Sequence, residues 1–157
     1  SFQFLVENIQ MVYSKIRQLL LNPKPDIDRP EDDMNALGRW GEQWASWNYV
    51  KSRGATVIEK NWRAEKGEID LILTEGDQII FSEVKTRSSK NPNPVGHVAV
   101  KRQKEHLQSA AREYYQQLPS LRPLPRFDLV IVQYNPDEIN EPEILLFLDT
   151  MKPVNFR

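Results

Sequence analysis

Residues 67–87 read GEIDLILTEGDQIIFSEVKTR, and this stretch decides the fold. Two apolar-rich runs, 68–74 and 78–85, flank Gly76-Asp77, a pair favoured in two-residue hairpin loops. With that loop fixed, Glu75 faces Gln78. Counting outward sets Leu73 on Ile80, Ile72 on Phe81, Asp70 on Glu83, Ile69 on Val84 and Glu68 on Lys85. Strand side chains alternate, so Glu68, Asp70 and Ile72 share one face of the hairpin with Phe81, Glu83 and Lys85. Apolar residues on both faces predict an interior hairpin.

Facing carboxylates have β-carbons roughly 4.5–5.5 Å apart. Two full charges at about 5 Å repel by roughly 3 kcal/mol at an effective dielectric near 20. A divalent cation between Asp70 and Glu83 removes that cost, and hard cations such as magnesium take one or two carboxylates plus water and phosphate oxygens. Lys85 then stands where it can hold an attacking water or stabilise charge on a phosphate. Metal, carboxylates and lysine together meet the needs of phosphodiester hydrolysis. The competing reading makes Glu83 and Lys85 a solvent-facing ion pair with Glu68, worth about 0–1 kcal/mol, with Asp70 capping a turn. A one-residue slip in the loop would separate the set.

Outward from the hairpin, 55–62 reads as a preceding strand and 34–52 as a helix capped by Asp32 or Asp33 and ended by Gly54. Leu37, Trp40, Trp44 and Trp47 lie along one side of that helix as core. Downstream, 88–96 is a loop by composition. A helix over 97–118 follows, burying Val98, Ala99, Leu107, Ala110, Ala111, Tyr114 and Leu118. Strands over 127–134 and 143–148, parted by a turn at Asn135-Pro136-Asp137, complete an α/β sandwich around a mixed sheet. Ahead of this domain, 1–22 forms one amphipathic helix whose apolar stripe must be buried on the domain, a second copy or a partner. Three prolines and five acids mark 22–33 as a linker. The domains are therefore 1–33, the helix and its Pro-rich linker, and 34–157.

The chain has 157 residues and no cysteine, which excludes disulfides, zinc–thiolate and iron–sulfur sites and thiol nucleophiles. No apolar run approaches the roughly 20 residues that cross a bilayer, and a cytoplasmic location is expected. The formal net charge of −1 hides an uneven distribution. Residues 85–126 carry 9 basic and 2 acidic side chains, while the segments on either side are each net −4. Such a block predicts one polyanion-facing surface. The bland alternative is charge scattered by folding. Within it, Lys101 and Lys104 sit one helical turn apart and can meet successive phosphates. Arg87, Lys90, Arg102 and Arg112 crowd the same stretch, and Gln103 lies near enough the helix start to reach the site. His97 and His106 have no metal-ligand spacing, and neither a phosphate-cradling glycine loop nor a nucleophilic serine elbow is present.

The pattern Asp70, then Glu83-Val84-Lys85, resembles the PD-(D/E)XK signature of restriction-endonuclease-like enzymes. The wider string is more specific. Leu37-Gly38-Arg39-Trp40-Gly41-Glu42, Asn61-Trp62-Arg63, Gly67-Glu68-Ile69-Asp70-Leu71-Ile72, Phe81-Ser82-Glu83-Val84-Lys85-Thr86-Arg87, 100–104 and Arg126-Phe127-Asp128 look like the YraN-like family of predicted endonucleases. The resemblance covers residues 36–132; the first 33 residues match nothing in it, and Ile69 stands where the superfamily pattern names Pro.

It implies a restriction-endonuclease-like core related to Holliday-junction resolvases. Glu42 would be the helix-borne acid, Asp70 and Glu83 the ligands of Mg2+ or Mn2+ with the Val84 carbonyl as an extra ligand, and Lys85 the catalytic lysine. Glu68 matches the motif and would stand behind the ligands or at a second metal. The function expected is a metal-dependent endonuclease acting on DNA, branched or repair intermediates included. Arg87, Lys101, Arg102 and Lys104 would contact the nucleic acid, and a homodimer is expected by analogy. Two other classes compete. One is a nucleic-acid-binding module without turnover. The other is an interaction protein working through the N-terminal helix.

Overall fold

The computed structural model describes residues 1–91 and 97–151, with His97–Val100 described in backbone alone. Three helices and five strands follow in the order α1 (Phe2–Leu21), α2 (Met34–Arg53), β1 (Thr56–Ala64), β2 (Gly67–Glu75), β3 (Gln78–Ser88), α3 (His97–Gln116), β4 (Leu124–Tyr134) and β5 (Glu143–Phe147). The strands lie in sequence order in one sheet. β1 to β3 form an antiparallel meander, β3 pairs with β4 in parallel, and β4 pairs with β5 antiparallel. A parallel pair needs a crossover, and α3 supplies it.

Local chemistry sets the boundaries. The Asp33 side chain accepts the Asn35 and Ala36 N–H groups at the start of α2, and Gly54 closes it at φ 64°. Leu118 N–H turns back to the Tyr115 carbonyl ahead of Pro119, so α3 stops at Gln116 and the two residues after it form a tighter turn. Each sheet face is covered by one helix. Trp40, Trp44, Ala45 and Tyr49 of α2 cover Leu71, Leu73, Ile80, Val84, Val130 and Val132. Leu107, Ala110 and Ala111 of α3 cover Ile69, Ile72, Ile79, Phe81 and Phe127. Each large apolar side chain so buried contributes roughly 1.5–3 kcal/mol. Of the expected α3 core, Tyr114 and Leu118 are half-buried, and the side chains of Val98 and Ala99 lie outside the described residues.

Trp40 and Trp44 are buried as expected, while Leu37 and Trp47 flank their cluster half-covered. The expected hairpin register holds from Glu75–Gln78 through Leu71–Ser82. It does not continue to the facing pairs Asp70–Glu83 and Glu68–Lys85, because the ladder stops at Leu71. Alternation also breaks there: Ile69 and Ile72 both lie under α3, whereas Leu71 and Leu73 lie under α2. The cause sits on the neighbouring strand. Lys60 pairs with Leu71 and Trp62 with Ile69, which leaves Asn61 level with Asp70, and Asn61 adopts φ 51°. One left-handed residue in β1 turns both strands over at this level, and asparagine tolerates that conformation better than most residues.

Segment 22–33 has no helix or strand, as its prolines dictate, yet it is fastened to the domain. Trp40 Nε1–H donates to the Asp26 carbonyl at 3.1 Å, and the Arg29 guanidinium lies 4.2 Å from the centre of the Tyr134 ring. Among the described residues no helix is long and apolar enough to cross a membrane.

Candidate active site

The end of the ladder leaves a polar opening between β2 and β3. Counted from the Glu75–Gln78 closing pair, a regular ladder would send the Val84 N–H to the Ile69 carbonyl. Instead it donates to Asp70 Oδ2 at 2.7 Å. Burial and then the charge of Glu83 push the Asp70 carboxyl up to about 8, against the opposing pull of the Val84 hydrogen bond. Glu83 is held by Lys85, whose Nζ lies 3.1 Å from Glu83 Oε1. Their side chains are 13% and 34% exposed, so the pair is a half-covered contact rather than a free surface bridge.

Glu42 comes in from α2. Its neighbour Gly41 is what permits the approach, since a β-carbon there would lie 1.7 Å from Thr86 Oγ1 on β3. Burial raises the Glu42 carboxyl above its ordinary value, a hydrogen bond from Asn61 opposes this, and the charges of Glu68 and Glu83 add to it. Asn61 therefore serves twice, turning the strands and holding Glu42. Its positive φ carries no signal in the alternation pattern.

The expected set Glu42, Asp70, Glu83 and Lys85 is thus brought together, by a distorted hairpin rather than a regular one. Glu68 lies at the margin: it is exposed and pairs with Arg63 at 3.8 Å instead of Lys85. Gln103 is half-buried on α3. Val84 is buried, with its N–H committed to Asp70. Of the basic residues, Lys101 and Arg102 are exposed and Lys104 half-buried on α3, while Arg87 Nε donates to Gln133 Oε1 at 3.1 Å. Lys90 is paired with Asp137, which removes one cation from the expected polyanion-facing block.

Among the described residues no three His, Asp or Glu side chains group as ligands of one metal ion. The donor set is two carboxylates, Asp70 and Glu83. Two acids, one of them pushed toward neutrality by burial and then by the charge of the other, fit a hard cation that keeps waters and carbonyl oxygens, the habit of magnesium.

A second polar cluster escaped sequence reasoning. Asp128 is fully buried on β4, where Tyr49 Oη donates to its Oδ2 at 2.9 Å and the Arg126 guanidinium contacts both of its oxygens. Tyr49 Oη also lies 2.9 Å from Ser82 Oγ, and Arg126 reaches Glu75 Oε2 at 2.9 Å. This network ties α2, β3 and β4 beneath the site. The motif Arg126-Phe127-Asp128 is structural in this setting: its charges are spent on one another.

A mixed sheet with a meander, a crossover helix and two further strands, covered by one helix on each face, is a restriction-endonuclease-like fold. Comparison with known sequences narrows this to the family that the motif string resembled. Residues 41–132 match the uncharacterised protein family UPF0102, and the chain belongs to it. A UPF0102 protein of Frankia alni is 35% identical over 102 residues, 65% of this chain and 84% of its own length. One from Desulfitobacterium hafniense is 36% identical over 115 residues, 70% of this chain and 91% of its own. Another, from Solibacter usitatus, is 39% identical over 97 residues, 60% of this chain and 73% of its own.

Proposed function

We propose that the protein is an Mg2+- or Mn2+-dependent endonuclease that hydrolyses phosphodiester bonds in DNA. The observation that carries this reading is the convergence of Asp70, Glu83 and Lys85 where β2 and β3 part, with Glu42 entering from α2. A fold built only for stability would leave no carboxyl withdrawn from water beside a second acid that raises its affinity for protons. Asp70 and Glu83 would hold the cation, which when bound supplies positive charge at the phosphoryl oxygens. Lys85, fixed by Glu83, orients the attacking water and faces the charge that develops on the phosphate. Glu42 keeps a raised proton affinity, because burial outweighs its hydrogen bond from Asn61, and so would be suited to a proton-transfer role. Arg87, Lys101, Arg102 and Lys104 would grip the flanking phosphates.

The test is cleavage of branched, flapped and single-stranded DNA with either metal. Wild type cuts at least one of them, and Asp70→Ala and Lys85→Ala each abolish cutting while DNA affinity and fold persist. No cutting by wild type on any substrate overturns the enzyme reading and leaves a binding module. Cutting that survives both substitutions locates the activity elsewhere.

A further inference from the structure

Helix α1 has none of its own residues buried, yet one side of it walls a cavity. Gln18 Oε1 accepts the Val57 N–H at 3.0 Å, which fastens α1 to β1. Between α1 and the C-terminal half of α2 lies a space of about 540 Å³. Lys15, Lys24 and Lys51 line it with Gln18, Trp47 and Thr56, and among the described residues no acid does. A second cavity, of about 300 Å³, shares Lys24 with the first. Gln43 and Lys60 also line it, and each is the chain neighbour of a site residue, Glu42 and Asn61. Asp26 is its one acid among the described residues, and Asp26 Oδ1 is taken by the Asp28 N–H at 3.1 Å. The two cavities make a path from the site along α2, about 14 Å from Glu42 to Lys51.

Most of these cations are unspent. Lys24 is paired with Glu141, but Lys15, Lys51 and Lys60 form no salt bridge among the described residues. Lys51 Nζ and Lys24 Nζ stand 4.8 Å and 5.5 Å from the centre of the half-buried Trp47 ring. Ammonium groups gathered at an indole, with one carboxylate among them, leave positive charge that an anion offsets. All four lysines lie outside the basic block 85–126, in a segment whose net charge of −4 conceals them.

We infer that this path holds an unpaired strand of DNA leaving the site, with phosphates on Lys15, Lys51 and Lys60 and a base against Trp47. The inference rests on the proposed nuclease reading, which supplies the strand. Lysines meet phosphates whatever the sequence. The indole adds the choice of strand, because an unpaired base has a flat face free to pack on an aromatic ring and a base inside a duplex does not. A phosphate draws the ammonium groups off the ring, since a cation over an exposed indole is weakly held. An acidic peptide would use the lysines and leave the indole without a partner.

Fluorescence anisotropy of a labelled oligothymidylate of about twelve nucleotides, with the full chain in chelator, tests it. Wild type binds the strand. Lys15→Gln/Lys51→Gln binds it about tenfold more weakly, and the slope of log affinity against log salt is reduced by about 1.4. Both side chains are exposed, so the thermal melt of the variant matches wild type. A blunt duplex of the same length binds both proteins alike, and a bromodeoxyuridine strand irradiated on wild type cross-links at Trp47. Cleavage plays no part in this readout. A chain that binds the strand as described and cuts nothing fails the nuclease reading alone; a chain that cuts, while its variant binds unchanged, fails this inference alone. Three further results overturn it: wild type does not bind the strand, the substitutions weaken duplex and strand equally, or polyglutamate of equal charge displaces the strand.

Discussion

The Asp70 carboxylate accepts the Val84 backbone N–H at 2.7 Å, in the place where a regular hairpin would present a carbonyl. A side chain has replaced the main chain at the point where the strands part, so the acid is held in one position without any ligand. The arrangement costs stability, because that acid is half-buried and stands beside Glu83.

Asp70→Asn should therefore stabilise the metal-free protein. The amide keeps an acceptor for Val84 N–H and removes the charge, with an expected gain of about 1–3 kcal/mol. Thermal melts in chelator read this directly. Added Mg2+ or Mn2+ should raise the midpoint of wild type and leave Asp70→Asn unmoved; a variant that melts below wild type without metal would contradict it.

Stability of the metal-free protein should peak on the mildly acid side. Asp70 ordinarily titrates near 3.8 and is held up to about 8, so the folded state binds its proton more tightly than the unfolded state does. Stability then falls as pH rises between those values. Glu75 has the opposite sign. Burial raises it, but hydrogen bonds from Arg53 and Arg126 outweigh burial and hold it below its ordinary value, so its contribution is lost on acidification. Denaturation midpoints across pH, with Asp70→Asn flattening the alkaline limb alone, check both signs.

Tyr49→Phe should cost about 1–3 kcal/mol. It strips a donor from the buried Asp128 and a partner from Ser82, each at 2.9 Å, while leaving ring volume intact. Urea denaturation measures it, and a loss below the error of the midpoint would show that Arg126 and the Asp149 N–H suffice for Asp128.

Gly41→Ala should destabilise the fold by about 1–3 kcal/mol, the usual cost of overpacking. The added β-carbon meets Thr86 Oγ1 at 1.7 Å, and α2 must lift from β3, taking Glu42 with it. Thr86→Ala in the same chain should recover part of the loss, since the closest atom is removed; additive effects of the two changes would contradict direct contact.

Much of this architecture was legible because its signals are local. Gly76-Asp77 fixes the turn, and the register follows from it as far as Leu71–Ser82. Asp33 and Gly54 announce both ends of α2. The distortion at the site was hidden, because counting by twos assumes a regular strand and Asn61 at φ 51° breaks it on the neighbouring chain segment. Asp70 and Glu83 remain close, as the hairpin count expected, although they are no longer ladder partners. The Tyr49–Asp128 contact spans 79 residues, a separation no periodicity reports. Lys90 read as a free cation, and only the folded chain brings Asp137 to it.

The Val84 amide has a further use. Because its proton rests on an ionisable oxygen rather than on a peptide, its nuclear magnetic resonance frequency should move whenever Asp70 changes charge or gains a cation. The chain thus carries an intrinsic reporter of the charge on Asp70, legible by isotope labelling without any substrate.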